Sequence, residues 1–508
     1  MSLISSLTTA EGGLANVSAQ LALVSHNVAN ASTPSYATES LDSTSLTAGG
    51  IGMGVLTGPA VRDVNLALQA ATLQQNAAVA GLQTTQTALQ SIDAISGTPG
   101  AGSDLGSLLG DLQDQFSTLL SDPSNTTQQS AVVSSATTLA QGINTLSNAY
   151  TAQRQTAENN VVSEVASVNT ALGTIGSLSA QIVAQQSEGV STADLANQRD
   201  AVVQTLSQLL NVTVLVQANG NMVVSTASGT QLPTGSATGP LSVSDASVEP
   251  GATVLNGDIG GIMLGGVDVT QQLTGGQLGA NITLRDTTLP TYQAGLDEFS
   301  QNLASQFGAQ GLTLFTDPNG NVPAGGGTPA QSGYVGFAAE IQVNPAVQTD
   351  PSLVVDGNTT VAGSPSGAAA FTPNPVGGPA GFTTLITNVL DYALGADAQP
   401  GVPQPPANTT GLGADGTLSL PFSPPATLGA FATALTSEEA ADSASTTAQL
   451  GTEQAVQSTL SGQLTSQTGV NLDQQMSLMI QLQNAYGANA KVMDAVQNMF
   501  TELLGMVQ

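Results

Sequence analysis

LISSLTTAEGGLANVSAQLALVSHNVANASTPSY, residues 3–36, carries apolar side chains at Leu3, Leu7, Ala10, Leu14, Val17, Leu21, Val24 and Val28. The spacings alternate between 4 and 3 without a break, the heptad of a helix that packs along its length against another helix. Gly12 and Gly13 each weaken that helix by about 1 kcal/mol relative to Ala, so it is marginal alone and needs a partner. It runs directly into a loop of Asn, Ser, Thr, Pro and Tyr, with Glu11 the only acid before Glu39. Asn27 and Asn30 are placed to end the helix by bonding its freed carbonyls, and Pro34 forbids its continuation. Tyr36 then supplies an apolar anchor beneath whatever follows.

The other end of the chain has the same character. After a break at SQTGVNLDQQ, 466–475, one helical run carries two adjacent heptad stripes. Leu472, Met476, Met479, Gln483, Tyr486, Ala490, Met493, Gln497, Phe500, Leu504 and Val507 form the first; Leu478, Leu482, Ala485, Asn489, Val492, Val496, Met499, Leu503 and Met506 form the second. A helix with two seams can serve two neighbours at once. The candidate assembly contacts are therefore Leu7, Leu14, Val17, Leu21, Val24 and Val28 on the first helix and Met476, Met479, Tyr486, Met493, Phe500 and Leu504 on the last, with Asn27, Asn30, Pro34 and Tyr36 as the loop motif.

Between the ends, helical stripes recur. Leu82, Leu89 and Ile92 form one, and Leu105, Leu108, Leu112, Phe116 and Leu119 another behind the cap candidates Ser103 and Asp104. Val161, Val165, Val168, Leu172, Ile175, Leu178 and Ile182 form a third, and 194–210 holds one more. At Val212 the period becomes strand-like, with VTVLVQ and MVVST joined by ANGN, an Asn-Gly hairpin. One helix, 286–308, interrupts the β-like stretch, with Tyr292, Leu296, Phe299, Leu303 and Phe307 on one face. Residues 320–334 and 357–412 are rich in Gly, Pro and Ala and read as loops or linkers.

The expectation is an α+β chain with an elongated, coiled-coil-like helical base formed by both termini and an inserted β-rich outer domain. Residues 1–60 pair with 469–508; 61–232 is a helical rod-like domain completed by 426–468; 233–425 is the outer, loop-rich part.

Composition narrows the function. Five basic residues face 35 acids, for a net charge of −30, so neither a nucleic-acid backbone nor an anionic membrane surface is a partner. No cysteine is present, which removes disulfides, thiolate metal sites and Cys nucleophiles. The N-terminus lacks the pattern of a secretory signal and no apolar run reaches 18 residues, so any export uses a route without a cleaved signal. His26 is the one histidine and no metal-ligand cluster is legible around it. GGIGMG, 49–54, lacks dinucleotide spacing and follows no strand-like run, and DPNGN, 317–321, reads as a turn rather than a calcium loop. No catalytic constellation emerges, so the chain reads as a non-enzyme without cofactors.

HNVANASTPSY, 26–36, resembles the Asn- and Pro-rich motif of the axial flagellar proteins, the rod, hook and hook-associated family, and GVNLDQQMSLMIQLQNAYGANAKVM, 469–493, resembles their C-terminal motif. ANQRDAVVQTLSQLLNVTV, 196–214, resembles a segment that marks the hook-associated branch at the junction of hook and filament. GIGMGVLTGPAVRD, 50–63, GGQLGANITLRD, 275–286, and IQVNPAVQTDPSL, 341–353, resemble further motifs of that branch, in the same order. His26 stands where the family usually has Asn, Ser35 where it has Gly, and Gln474 and Gln475 where it has acids.

The resemblance implies a structural junction subunit of the bacterial flagellum, exported unfolded by the type III route with a chaperone. Its implied partners are identical subunits in a ring, the hook protein, and the next hook-associated protein toward the filament. A rod or hook protein, or an acidic surface-layer or adhesin protein, is the alternative.

Overall fold

The computed structural model describes residues 3–48, 51–97, 100, 102–235 and 239–506. The Leu3 side chain and Val507, the outermost members of the terminal stripes, lie outside the described residues. The protein is α+β, with long helices carrying small antiparallel sheets. Helix α1 (Leu3–Ala29) leads into a hairpin of β1 (Glu39–Ala48) and β2 (Ile51–Arg62), then α2 (Leu66–Ser96), α3 (Leu105–Ser121), α4 (Thr126–Ser187) and α5 (Ala193–Leu209). A small sheet of β3 (Val212–Val216), β4 (Met222–Thr226) and β5 (Gln231–Leu232) follows. Helix α6 (Gly276–Thr283) passes through one π-turn into α7 (Leu289–Ala309), so the helix expected over 286–308 starts ten residues earlier. Four short helices, α8 (Phe337–Glu340), α9 (Pro345–Thr349), α10 (Leu353–Asp356) and α11 (Thr384–Asn388), precede α12 (Leu428–Thr468) and α13 (Leu472–Gly505).

Local chemistry starts these helices. Asn65, Asp104, Asn125, Thr427 and Asn471 each accept a backbone N–H of the first turn of α2, α3, α4, α12 and α13, caps that contribute about 1 kcal/mol apiece. The long α4 spans roughly 90 Å at 1.5 Å per residue. Its predicted stripe from Val161 to Ile182 is buried at every position. Helix α12 returns antiparallel to α2: Asn65 donates to Gln467 at 2.8 Å, Gln457 to Asn76 at 2.9 Å and Gln86 to Thr447 at 3.0 Å.

Two apolar cores divide the length of α4. Its first half packs with the end of α2, α3, α7, the 312–420 segment and the start of α12. Its second half packs with α5, β3 to β5 and α6. The Gly- and Pro-rich 357–412 stretch is not a linker: Phe371, Leu385, Ile386, Val389, Ala393 and Leu412 enter the first core. Gly and Pro report the backbone turns of this stretch, while its few large apolar residues report its burial. Among the described residues of 233–425 the strands form ladders of two or three residues.

The arginines tie segments together. Arg285 donates to Glu158 at 2.6 Å and grips Asp286 at 2.7 and 2.8 Å. Arg154 has no carboxylate within hydrogen-bond reach; it donates to the carbonyls of Arg285, Glu249, Pro250 and Ala252, and burial lowers its pKa to about 10. Arg199 joins α5 to Ser179 and to the β3–β4 turn at Gly220. At 317–321 the Asp317 carboxylate accepts the Asn319 and Asn321 N–H groups, a turn, as its sequence indicates.

Glu439 is buried where α12 meets α2 and α4, accepting from Ser96 at 2.5 Å and from the Tyr150 hydroxyl. Burial pushes its pKa up to about 7. The unfolded carboxyl titrates near 4.3, so the folded state binds more protons between the two values, and this group's contribution to stability falls as pH rises from about 4 to about 7. Glu439→Gln keeps an acceptor but removes that equilibrium. Melting curves at pH 5 and pH 8 should show the variant gaining on the wild type at the higher pH. A difference that stays constant across the range would contradict the linkage.

Candidate assembly interface

Helices α1 and α13 pair through a short apolar seam. Val17, Val24 and Leu482 are buried in it, with Leu21, Met479 and Ala485 packed at its edge. Four predicted contacts, Val17, Leu21, Val24 and Met479, are thus closed within the chain. Leu7, Leu14, Val28, Met493 and Phe500 are half-buried. Met476, Tyr486 and Leu504 remain 50%, 42% and 69% exposed. Leu472, Ile480, Met499 and Leu503 join them, so α13 presents large apolar side chains that none of the described residues covers.

The hairpin lies along α1. Asn16, buried, accepts from Ser43 at 2.9 Å and from Thr57 at 3.0 Å. The sequence reading assigned no strand before GGIGMG, yet Glu39–Ala48 is one, pairing Glu39 with Arg62 and Leu46 with Gly54. Its residues, ESLDSTSLTA, alternate no apolar face, because the contact with α1 is partly made by hydroxyls.

The loop motif closes on itself and on α5. Asn27 does not bond a freed helix carbonyl. Its Nδ2 donates to the Glu39 carbonyl at 2.9 Å while its Oδ1 accepts the Glu39 N–H at 3.1 Å and the Tyr36 hydroxyl at 2.9 Å. Asn30 does cap as expected, donating to the His26 carbonyl at 3.1 Å. Pro34 is exposed in the turn. Ser35, where the family motif has Gly, sits at φ 66°, in the left-handed region that favours Gly, and its hydroxyl donates to Gln204. Tyr36 is buried, and desolvation, then Glu39 and Asp194, raise its pKa and keep the phenol neutral.

Helix α5 receives this loop. Asn197 accepts the Ala37 N–H at 3.2 Å and donates to Glu39 at 2.9 Å, while Arg62 at the end of β2 bonds Asn197 at 3.2 Å and Asp200 at 2.7 Å. Thr38 bonds the Thr468 and Gly469 carbonyls at 2.8 Å each, tying the loop to the α12–α13 joint. Gln475 lies 3.4 Å from Asn27. Asn16, Asn197, Asp200 and Gln475 were not among the predicted site residues. The i, i+3 spacing of Asn197 and Asp200 around the Gln-Arg pair was the available signal, since it places both on one helix face.

The family description "Flagellar hook-associated protein FlgK helical domain" fits residues 89–322, and "Flagellar basal body rod FlgEFG protein C-terminal" fits residues 461–506. A long helical body closed by paired terminal helices and carrying both signatures is a hook-associated axial flagellar protein. Flagellar hook-associated protein 1 of Salmonella typhimurium is 27% identical over 323 residues, 61% of this chain and 57% of that protein. The Escherichia coli protein of the same name is 28% identical over 164 residues, 32% of this chain and 28% of its own length. The matched stretch thus spans little more than half of the longer-matching relative. A solved structure of the flagellar hook junction protein FlgK from Burkholderia pseudomallei overlaps 51% of this chain and 46% of its own at 26% identity, with a TM-score of 0.41. The chain is thus similar to flagellar hook-associated protein 1 along its helical body and to the axial flagellar proteins at its last helix.

Asn27→Ala would leave the Glu39 N–H and carbonyl without their Asn27 partner and strip the Tyr36 hydroxyl of its acceptor. The expected cost is about 2 kcal/mol, roughly a thirtyfold faster hydrogen exchange, confined to 20–40 and the facing turns of α13. Protection within α4 should stay unchanged. Equal loss in both regions would show that the loop is not a separate cooperative unit.

Proposed function

We propose that this chain is a structural junction subunit between the hook and the filament of a bacterial flagellum, acting outside the cell and performing no catalysis. Residues 1–60 with 469–508 form its axial part, 61–232 with 426–468 the body, and 233–425 the outward part. Identical subunits form a ring, contacting the hook protein on one side and the next hook-associated protein on the other. The chain leaves the cell unfolded through the flagellar type III channel with an export chaperone, and the lack of cysteine suits that route, since no disulfide obstructs threading.

The observation that carries the reading is the uncovered face of α13. Leu472, Met476, Ile480, Tyr486, Leu503 and Leu504 are exposed on a helix whose charges are Asp473, Lys491, Asp494 and Glu502. Exposed apolar side chains along so sparsely charged a helix mark an interaction surface. Neighbouring subunits cover it in the ring, and the seam with α1 keeps it correctly turned. The hook-associated helical body at 89–322 favours this assignment over a rod or hook protein.

Tyr486→Asp with Leu503→Asp tests it. Both side chains are more than 40% exposed, so the monomer's melting temperature should change little, while burying two carboxylates in the ring costs several kcal/mol. The variant should be exported, accumulate in the medium and leave hooks without filaments. Val24→Asp, by contrast, should loosen the α1–α13 pair within the monomer, with Ser25→Asp much milder. Normal filaments from the Tyr486, Leu503 double variant would sink the proposal.

A further inference from the structure

The fold brings together three groups that the sequence keeps far apart. His26 at the end of α1, Glu39 at the start of β1 and Asp194 in the first turn of α5 offer ligand atoms that all lie within 4.8 Å of one another. No such cluster is legible in the sequence because the two partners of His26 stand 13 and 168 residues from it.

The hydrogen bonds around this group settle which nitrogen of His26 carries the proton. The Glu39 backbone takes both ends of the Asn27 amide, N–H to Oδ1 and carbonyl from Nδ2, and so fixes its orientation. Asn27 Oδ1 then takes the single proton of Tyr36. The Tyr36 oxygen, 3.1 Å from His26 Nδ1, is left as an acceptor, which places the ring proton on Nδ1. The lone pair on Nε2 therefore faces outward. It meets an Asn30 N–H at 3.2 Å and, at 3.5 Å, the Asp194 carboxylate. That lone pair, shared with the Asn30 N–H, thus faces one carboxylate, and the buried Glu39 carboxylate completes a triangle of ligand atoms.

We infer that His26, Glu39 and Asp194 form a site for a divalent transition-metal ion of the zinc type that clamps α1, β1 and α5 together. One imidazole and two carboxylates suit zinc, with water completing the coordination on the side of the exposed Asp194. Outer contacts that orient ligands are in place: Tyr36 holds the His26 tautomer, and Asn197 donates to Glu39 Oε1 at 2.9 Å. The ion would join the three elements whose contact positions the axial helices. His26 is also where this chain departs from the Asn of the family motif, so the site would be a property of this chain.

The test uses the full chain stripped of metal on chelating resin. Isothermal titration with zinc chloride should give one equivalent bound at about 10 µM or tighter, and Co2+ should give a visible d–d absorption at the same stoichiometry. Saturation should raise the melting temperature by several degrees. His26→Asn restores the residue common in the motif and should keep the helical circular dichroism, yet lose the tight equivalent and the cobalt spectrum. Asp194→Asn should weaken binding at least tenfold. If His26→Asn titrates like the wild type, the ions sit on scattered surface carboxylates and the site is refuted. If the wild type binds nothing tighter than about 1 mM, the three groups are a hydrogen-bonded cluster only and the inference falls.

Discussion

The geometry of the molecule rests on one amide. Asn27 pairs with both the N–H and the carbonyl of Glu39 while taking the proton of Tyr36, and through these bonds the end of α1, the start of the hairpin and the loop between them become a single turn. Among the described residues the apolar cluster between α1 and α13 has three buried members, Val17, Val24 and Leu482, for helices of 27 and 34 residues. Dispersion and hydrophobic burial on that scale cannot by themselves set the angle at which two long helices leave a body. Directional bonds can, and they are concentrated where the loop meets α5 and the α12–α13 joint.

The body is built on a different principle. Its cores are large, continuous along α4, and internally cross-linked by arginines that find carbonyls or carboxylates rather than solvent. In a chain with 35 acids and five bases, the buried guanidinium groups of Arg154 and Arg285 join segments more than a hundred residues apart. Arg285 to Glu158 and Arg154 to Arg285 are two such joints. Stability is stored in the body, and the terminal pair borrows its orientation from it.

This division explains what could be read from the residues and what could not. The long stripes were legible because a helix repeats its buried face every three or four positions, and Val161 to Ile182 is buried throughout. The ANGN hairpin was legible because its turn has its own chemistry, with Gly220 at φ 85°. The hairpin at 39–62 was hidden, since its strands meet α1 through Asn16, Ser43 and Thr57 rather than through an apolar face. The core contribution of Leu385, Ile386 and Val389 was masked by surrounding Gly and Pro. The loop residues Asn27, Asn30 and Tyr36 were identified as a motif, but their partners Asn197, Asp200 and Gln475 lie so far along the chain that only the fold brings them near.

The two ends therefore differ from the middle in what they leave unfinished. The long apolar stripe of α4 closes within the chain, whereas α13 closes one edge on α1 and leaves Tyr486, Leu503 and Leu504 open. A helix fixed on one side by its own chain and bare on the other is oriented before any neighbour arrives, so less conformational freedom is lost when a neighbour docks. Because the bonds that orient it lie at the loop and the bare face lies along the helix, a neighbour can cover α13 without disturbing the Asn27 turn. Orientation and association are thus handled by separate residues, which allows the loop to vary at His26 and Ser35 while the stripe stays intact.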